Sequence, residues 1–551
     1  MGSVDENNWR QAVAVKQRER LAAIPKDWLL SPSLVSQFDL SETSNTNVIS
    51  IDFVRKSGIL SDQEIAITEN FTAPELISKI ATGEFSSELV TTAYAKRSAL
   101  AQQLTNCLTE IFYDRALERA RFLDNYLKTN KTTIGPLHGL PVSLKDSFNY
   151  KGIPSTLGFV GFLKHAPPKE NSVLTDMLLD LGAVLYVKTN IPQALGSSDS
   201  HNNVFGRTLN PHNLGLTAGG SSGGESALVA YRGAPIGVGT DLGGSIRMPA
   251  ASTGVYGFKP SCNRIPYGKK TRSAPGGFHN VSGCAGPLCN NFEEIGFFMK
   301  TIIAAQPWQR DSTSLAYPWR ELPELSRPLT IGVLAEDPKY PLHPPVRRAL
   351  SAAAEKLGKA GHKIVQLGHT SEHSISVSND LIFKYYAVDP DQTIMKVIRD
   401  AREPVVPSLA KMNTFGSLEA IPSGDIRELA EMNRLRAGIL EYWRTVFVGS
   451  DLDVILAPPS QCTAVQHDCW NWIPYTASFN LVDFPALIIP FMKVSKEWDS
   501  EPFSPGEGQL GPQYVADLLD GAPCSIQVVA RNLHDEECLR AAKAIDKVLK
   551  Q

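Results

Sequence analysis

The chain has 551 residues, 42% of them hydrophobic and 20% charged, and its 54 basic and 57 acidic side chains leave a formal charge of −3. This is the composition of a soluble globular protein with a large core, and it holds no long basic run to engage nucleic acid or an anionic membrane. No stretch of 18 consecutive apolar residues offers a membrane span, so neither nucleic acid nor membrane is expected as a partner.

The opening "MGSVDENNWRQ" lacks the basic start and apolar core of a secretory signal. Gly2 is followed by Glu6 where a myristoylation site needs Ser or Thr, and cytoplasmic residence is the expectation. Residues 1–70, rich in charge and broken by Pro25, read as a helical lead-in followed by a loop packed on the core. A helix starts at "TAPELISKI", with Thr72 as N-cap and Glu75 three positions on. Leu174, Met177, Leu178 and Leu181 form one helical face, Gly182 stops it, and "AVLYV" (183–187) reads as a strand. "LTIGVL" (329–334), "PPVRRALSAAAEKLGKAG" and "HKIVQL" repeat the logic as strand, helix and strand. The helix of "MNRLRAGILEYWRTVF" precedes a further strand, "LDVILAP" (452–458). Alternating strands and helices predict an α/β fold with a mostly parallel sheet covered on both faces. No linker interrupts residues 71–551, which read as one large domain with its motif-bearing core at about 135–290.

The eight cysteines are too scattered for a disulfide framework. Cys462, His467 and Cys469 lie close together, but their spacing matches no familiar zinc site and no fourth ligand is evident, so no metal is expected.

Glycine-rich segments carry the chemical signal: "GLPVSLKDSF" (139–148), "AGGSSGGESA" (218–227) and "GVGTDLGGSIRMPA" (237–250). Gly237-Val238-Gly239 begins like a dinucleotide fingerprint, yet the third glycine position holds Leu242. "GGSSGGES" lacks the Lys-Ser/Thr ending of a phosphate loop. Gly220-Ser221-Ser222-Gly223-Gly224 does satisfy G-x-S-x-G with Ser222 central, an alternative that needs a later acid and histidine.

Taken together, the three segments resemble the amidase signature family, whose members hydrolyse amides with a Ser–Ser–Lys triad. "IGPLHGLP", "YVKTNIPQALG" and "GAPCSIQVVARNL" extend the likeness, while "DFVRKSGILS", "AQQLTNC" and "LGKAGHKIV" look most like fungal acetamidase-type members. The resemblance covers nearly the whole chain. It implies a single large domain, a mixed twisted β-sheet covered by helices on both faces, with the active site near its middle.

It also implies roles. Ser245 matches the nucleophile, Ser221 the bridging serine and Lys145 the base. The N–H groups of Leu242, Gly243, Gly244 and Ser245 match the oxyanion hole, where one donor is typically worth about 3 kcal/mol. Lys145 serves as base only if burial lowers its pKa from about 10.4 by roughly three units. Ser222, Asp241 and Arg247 are expected to support these groups. Leu195, Ser197, Gly219, Gly220 and Trp472 are expected at the substrate, with Trp470 and Tyr475 as further walls or core. No cofactor is implied. The expected reaction is hydrolysis of a small carboxylic amide to the acid and ammonia or an amine. Alternatives are a glutamine-hydrolysing amidotransferase subunit or an aryl- or fatty-amide hydrolase, although no N-terminal anchor of the fatty-amide type is found. The sequence leaves a homodimer open.

Overall fold

The central apolar runs form strands because they are short and buried on both faces, as a sheet covered by helices requires, while the edge strand 363–367 is half exposed. The computed structural model describes residues 7–273, 281–368, 370–389, 391–412, 414 and 426–551. Eleven strands make one sheet: β1 (Leu108–Ile111), β2 (Pro141–Lys145), β3 (Val184–Thr189), β4 (Ile236–Asp241), β5 (Tyr256–Lys259), β6 (Cys284–Cys289), β7 (Thr330–Leu334), β8 (Lys363–Leu367), β9 (Val454–Ala457), β10 (Ala486–Lys493) and β11 (Pro523–Val529). Their spatial order is β1-β3-β2-β4-β6-β5-β10-β11-β9-β7-β8.

The sheet is mixed rather than mostly parallel. β2 runs parallel to β3 and β4, and β7 parallel to β8 and β9, each through a helical crossover. The pairs β4–β6, β6–β5, β5–β10, β10–β11 and β11–β9 are antiparallel. Among the described residues, 260–273, 281–283 and 494–522 hold no crossover helix of the length a parallel return needs, and the strands these segments follow and precede lie antiparallel.

Local signals set the element ends. Helix Ala73–Ala81 opens with a capping box in which Thr72 Oγ1 accepts from Glu75 N–H and the Glu75 carboxylate accepts from Thr72 N–H. A second capping box, Ser61 with Glu64, starts helix Asp62–Asn70 inside the stretch read as loop. That helix is only nine residues long, too short for a periodic signal. Helix Val173–Asp180 stops before Gly182, whose φ is +97°. Its chain then enters β3, buried throughout.

The sheet positions the site through one pairing. Parallel β2 and β4 register Ser143 with Gly237 and Leu144 with Val238, so both strands finish on the same edge. Lys145 ends β2 and Asp241 ends β4. Helix Gly223–Ala230, which leads into β4, packs on β2 and β3. Gly224 presses that helix onto β3: a Cβ there would lie 2.3 Å from Asn190 N and 2.5 Å from the Cys107 carbonyl oxygen. We expect Gly224→Ala to push the helix off the strand and destabilise the fold by about 1–3 kcal/mol, read as a lowered midpoint in denaturant unfolding.

Candidate active site

In β2, alternation turns Ser143 and Lys145 to one face and Val142 and Leu144 to the other. The Lys145 side chain is wholly buried and meets hydroxyls rather than carboxylates. Its Nζ lies 2.7 Å from Ser221 Oγ, 2.9 Å from Ser222 Oγ, 2.9 Å from Thr240 Oγ1 and 3.4 Å from the Thr240 carbonyl oxygen. Burial, and next the charge of Lys270, lowers the pKa of Lys145 well below that of a free lysine, against weaker opposite pulls from Asp241, Glu225 and Asp146. A neutral amine among hydroxyls can both donate and accept.

Glu225 lies beside this cluster. Ser143 Oγ donates to its Oε2 at 2.6 Å, and burial pushes its carboxyl up to about 8, so it carries a proton at neutral pH. Lys145 therefore gains little from the carboxyl nearest its strand.

Past β4 the chain makes a tight loop before helix Arg247–Thr253, and the buried Asp241 carboxylate organises it. It accepts from the N–H groups of Gly244 (2.8 Å), Ile246 (3.1 Å) and Arg247 (3.4 Å), from Asn480 Nδ2 (2.9 Å), and from the Arg247 guanidinium at 3.0 and 3.1 Å. Burial would raise its pKa, but the Arg247 charge and these bonds outweigh it and hold the carboxyl below the usual range. Arg247 also donates to Gln527 Oε1 and the Thr476 carbonyl. Gly244 sits at φ +127°, and a Cβ there would lie 2.3 Å from Thr476 Oγ1. The position is closed to any other residue.

The expected oxyanion set is corrected at one position. Gly244 N–H is turned inward to Asp241, so it does not face a substrate. The N–H groups of Leu242, Gly243 and Ser245 have no protein partner among the described residues. Tyr386 Oη donates to the Leu242 carbonyl at 2.7 Å, which fixes the peptide plane that carries Gly243 N–H. Thr476 Oγ1 donates to the Gly243 carbonyl at 2.8 Å and fixes the next plane.

A cavity of about 580 Å³ opens at this loop. Ser245, Ser221, Thr240, Leu242 and Gly243 border it. The Ser221 and Ser245 hydroxyls share no hydrogen bond among the described contacts, but Ser222 N–H donates to the Ser245 carbonyl at 3.1 Å and ties the two loops together. Its lining includes the apolar Leu195, Met248, Ile394, Met412 and Ile473 and the polar Asn263, Tyr267, Lys270 and Arg272, these four from one stretch of chain.

Of the residues expected at substrate, Leu195 and Ser197 line the cavity. The Ser197 hydroxyl is spoken for, donating to the Asp199 carbonyl at 2.9 Å. Gly219 and Gly220 do not line it. A Cβ at Gly219 would lie 2.7 Å from Pro249 Cα and one at Gly220 2.4 Å from the Ser197 carbonyl, so both serve close backbone packing. Trp472 packs against the buried apolar cluster that includes Trp470, Tyr475 and Phe479, while its neighbour Ile473 reaches the cavity. Trp470 and Tyr475 are core, the latter donating from Oη to the Tyr340 carbonyl. Ser222 is fully buried behind Lys145 and does not line the cavity, which removes the elbow reading that made it the attacking group. His467 bonds the Leu214 carbonyl through Nε2, and among the described residues no group of three His, Cys, Asp or Glu could hold a metal ion. Lys270, Tyr386 and Met412 belong to the site but stand in no motif that the sequence reading used, and Thr240 lies inside the segment 237–250 without a role expected for it.

The family model described as Amidase matches residues 89–539. A protein named Amidase from Gibberella moniliformis is 42% identical over 550 residues, covering 99% of each chain. A protein named Acetamidase from Emericella nidulans is 37% identical over 558 residues, covering 98% of each. A solved structure of a fatty acid amide hydrolase superposes with a TM-score of 0.90 at 34% identity, over 98% of this chain and 95% of that one. Among the described residues no helix is long and apolar enough to cross a membrane.

The Lys145 environment makes stability depend on pH. Its native pKa is depressed, so between that value and 10.5 the unfolded chain binds a proton that the native state does not. The wild type therefore gains stability over Lys145→Met as pH rises through this window, by up to about 1.4 kcal/mol per pH unit. Urea unfolding of both proteins at several pH values from 7 to 10 measures it; a constant difference would contradict a neutral buried lysine.

Proposed function

The chain belongs to the amidase signature family and is an amidohydrolase, and from that premise we propose that it cleaves a linear carboxylic amide through an acyl-enzyme on Ser245. The observation that carries the reading is the Lys145 amine, buried without a bonded carboxylate and touching Ser221 beside the cavity that Ser245 borders.

In this mechanism neutral Lys145 accepts a proton from Ser221, which accepts one from Ser245 as its Oγ attacks the amide carbon. Rotation about the Ser245 Cα–Cβ bond brings the two hydroxyls together when substrate arrives. The carbonyl oxygen gains negative charge and is met by the N–H groups of Leu242, Gly243 and Ser245. The proton returns from Lys145 through Ser221 to the nitrogen, the C–N bond breaks, and the amine or ammonia leaves. Water then attacks the ester through the same relay, releasing the acid and restoring Ser245. Asp241 and Arg247 hold the loop in shape and exchange no proton.

The acyl group is larger than acetyl. A cavity of about 580 Å³ lies in the range that holds drug-sized ligands, and its apolar lining suits an aliphatic or aryl acyl chain. The full-length likeness to a fatty acid amide hydrolase favours a longer chain as the second reading.

We expect Ser245→Ala to abolish hydrolysis and fluorophosphonate labelling while leaving the unfolding transition in place; wild-type turnover in that variant would rule out the assignment. Ammonia release across unbranched amides of increasing length is expected to rise in kcat/KM from acetamide to medium chains. A maximum at acetamide would overturn the size argument.

A further inference from the structure

Two neighbouring lysines face opposite ways. Lys269 points outward and pairs with Glu170 at 2.8 Å, as surface lysines do. Lys270 turns inward and lines the cavity, half-buried, its Nζ 4.3 Å from the centroid of the Tyr267 ring. Arg272 lines the same cavity. Neither cation forms an ion pair among the described residues. Asp389 is the one carboxylate among the cavity's described lining, and it is engaged in starting helix Thr393–Ala401, accepting from Thr393 Oγ1 at 3.0 Å and from Ile394 N–H at 3.4 Å. Asp311 accepts from the N–H groups of Tyr267, Gly268 and Thr313.

A half-buried ammonium that faces a cavity without a counter-ion is costly to keep charged. Burial, and then the Arg272 charge, bring Lys270 down to about 7. After burial, Lys270 is also the leading influence lowering Lys145, so it stands near the reacting hydroxyls. A ring face attracts a cation but does not neutralise it. An anion brought in by the substrate would neutralise it, through a charge-assisted bond to Lys270 and a fork to Arg272.

We propose that Lys270 and Arg272 form a carboxylate subsite, and that the preferred substrates are amides carrying a carboxylate within reach of Ser245. The apolar lining takes the rest of the acyl group. This rests on Ser245 as the attacking group. The carboxylate has two chemical sources, the far end of the acyl chain or the amine portion, and the substrates distinguish them.

The test measures kcat/KM in two matched pairs: an ω-carboxy primary amide against the neutral amide of equal length, and an N-acylglycine against the N-propyl amide of the same acyl group. The wild type is expected to favour the carboxylate member about tenfold or more in at least one pair. Lys270→Gln is expected to bring that ratio to about one and Lys270→Arg to keep it. Ratios taken within one enzyme cancel any effect of the substitution on Lys145. The groups tied to Lys270 are Arg272, Tyr267 and Lys145, with Asp389 elsewhere in the cavity lining and Asp311 bonded to the backbone of Tyr267 and Gly268. Of these none gains positive charge above pH 7, so the wild-type ratio is expected to fall between pH 6 and 9. A ratio of one or less in both wild-type pairs, an unchanged ratio in Lys270→Gln, or one independent of pH should that variant fail to fold, overturns the subsite. Cleavage of no amide at all overturns the hydrolase reading instead.

Discussion

An amine held inside a protein without a carboxylate bonded to it is the constraint on which the rest of this molecule depends. A lysine with an acid beside it would stay charged and could take no proton. Here the strand that delivers Lys145 is closed on both faces, and the partners at its tip are hydroxyls and a carbonyl oxygen. Even Glu225, facing the same strand, is kept protonated by burial and by the lack of a cation bonded to it.

The strong negative charge of the region is instead locked away one loop further on. Asp241 has its oxygens filled by backbone N–H groups, by Asn480 and by Arg247. A buried pair of this kind adds little net stability, but it fixes geometry. What it fixes is the turn that presents Leu242, Gly243 and Ser245 to the cavity, with Gly244 supplying the one backbone angle a side chain would forbid. The charge serves as a peg for the loop while the neutral amine is left next to the hydroxyls of Ser221 and Ser222.

Much of this was legible in the sequence, and the reasons differ by element. Lys145 and the glycine segments were legible only together: alone, a lysine after an apolar run reads as a surface residue and a glycine cluster as turns, and it is their joint occurrence that resembles the amidase signature. The capping box at Thr72 was readable because it is a local bond between residues three apart. The balance of parallel and antiparallel pairing was not, since a strand's own pattern does not name its neighbour. Neither were Tyr386 and Met412, which reach the cavity from segments far along the chain by tertiary packing alone. Gly244 shows a subtler limit: its place in the motif was plain, but the direction of its N–H was set by the Asp241 carboxylate three residues earlier. Trp472 and Ile473 mark another limit, because a one-residue step decides which side chain reaches the cavity.

Tyr386 joins two properties that are usually treated as separable. It stands at the end of helix Ile375–Tyr386, in the cavity wall, and its hydroxyl holds the Leu242 carbonyl. Any drift of that helix, whether it widens or narrows the cavity, also turns the peptide plane that carries Gly243 N–H. Met412 and Ile394 border the same cavity with no hydrogen bond to the loop among the described contacts, so a change of side chain there alters the pocket and leaves that carbonyl in place. The end of the helix thus anchors pocket shape and loop geometry at one point.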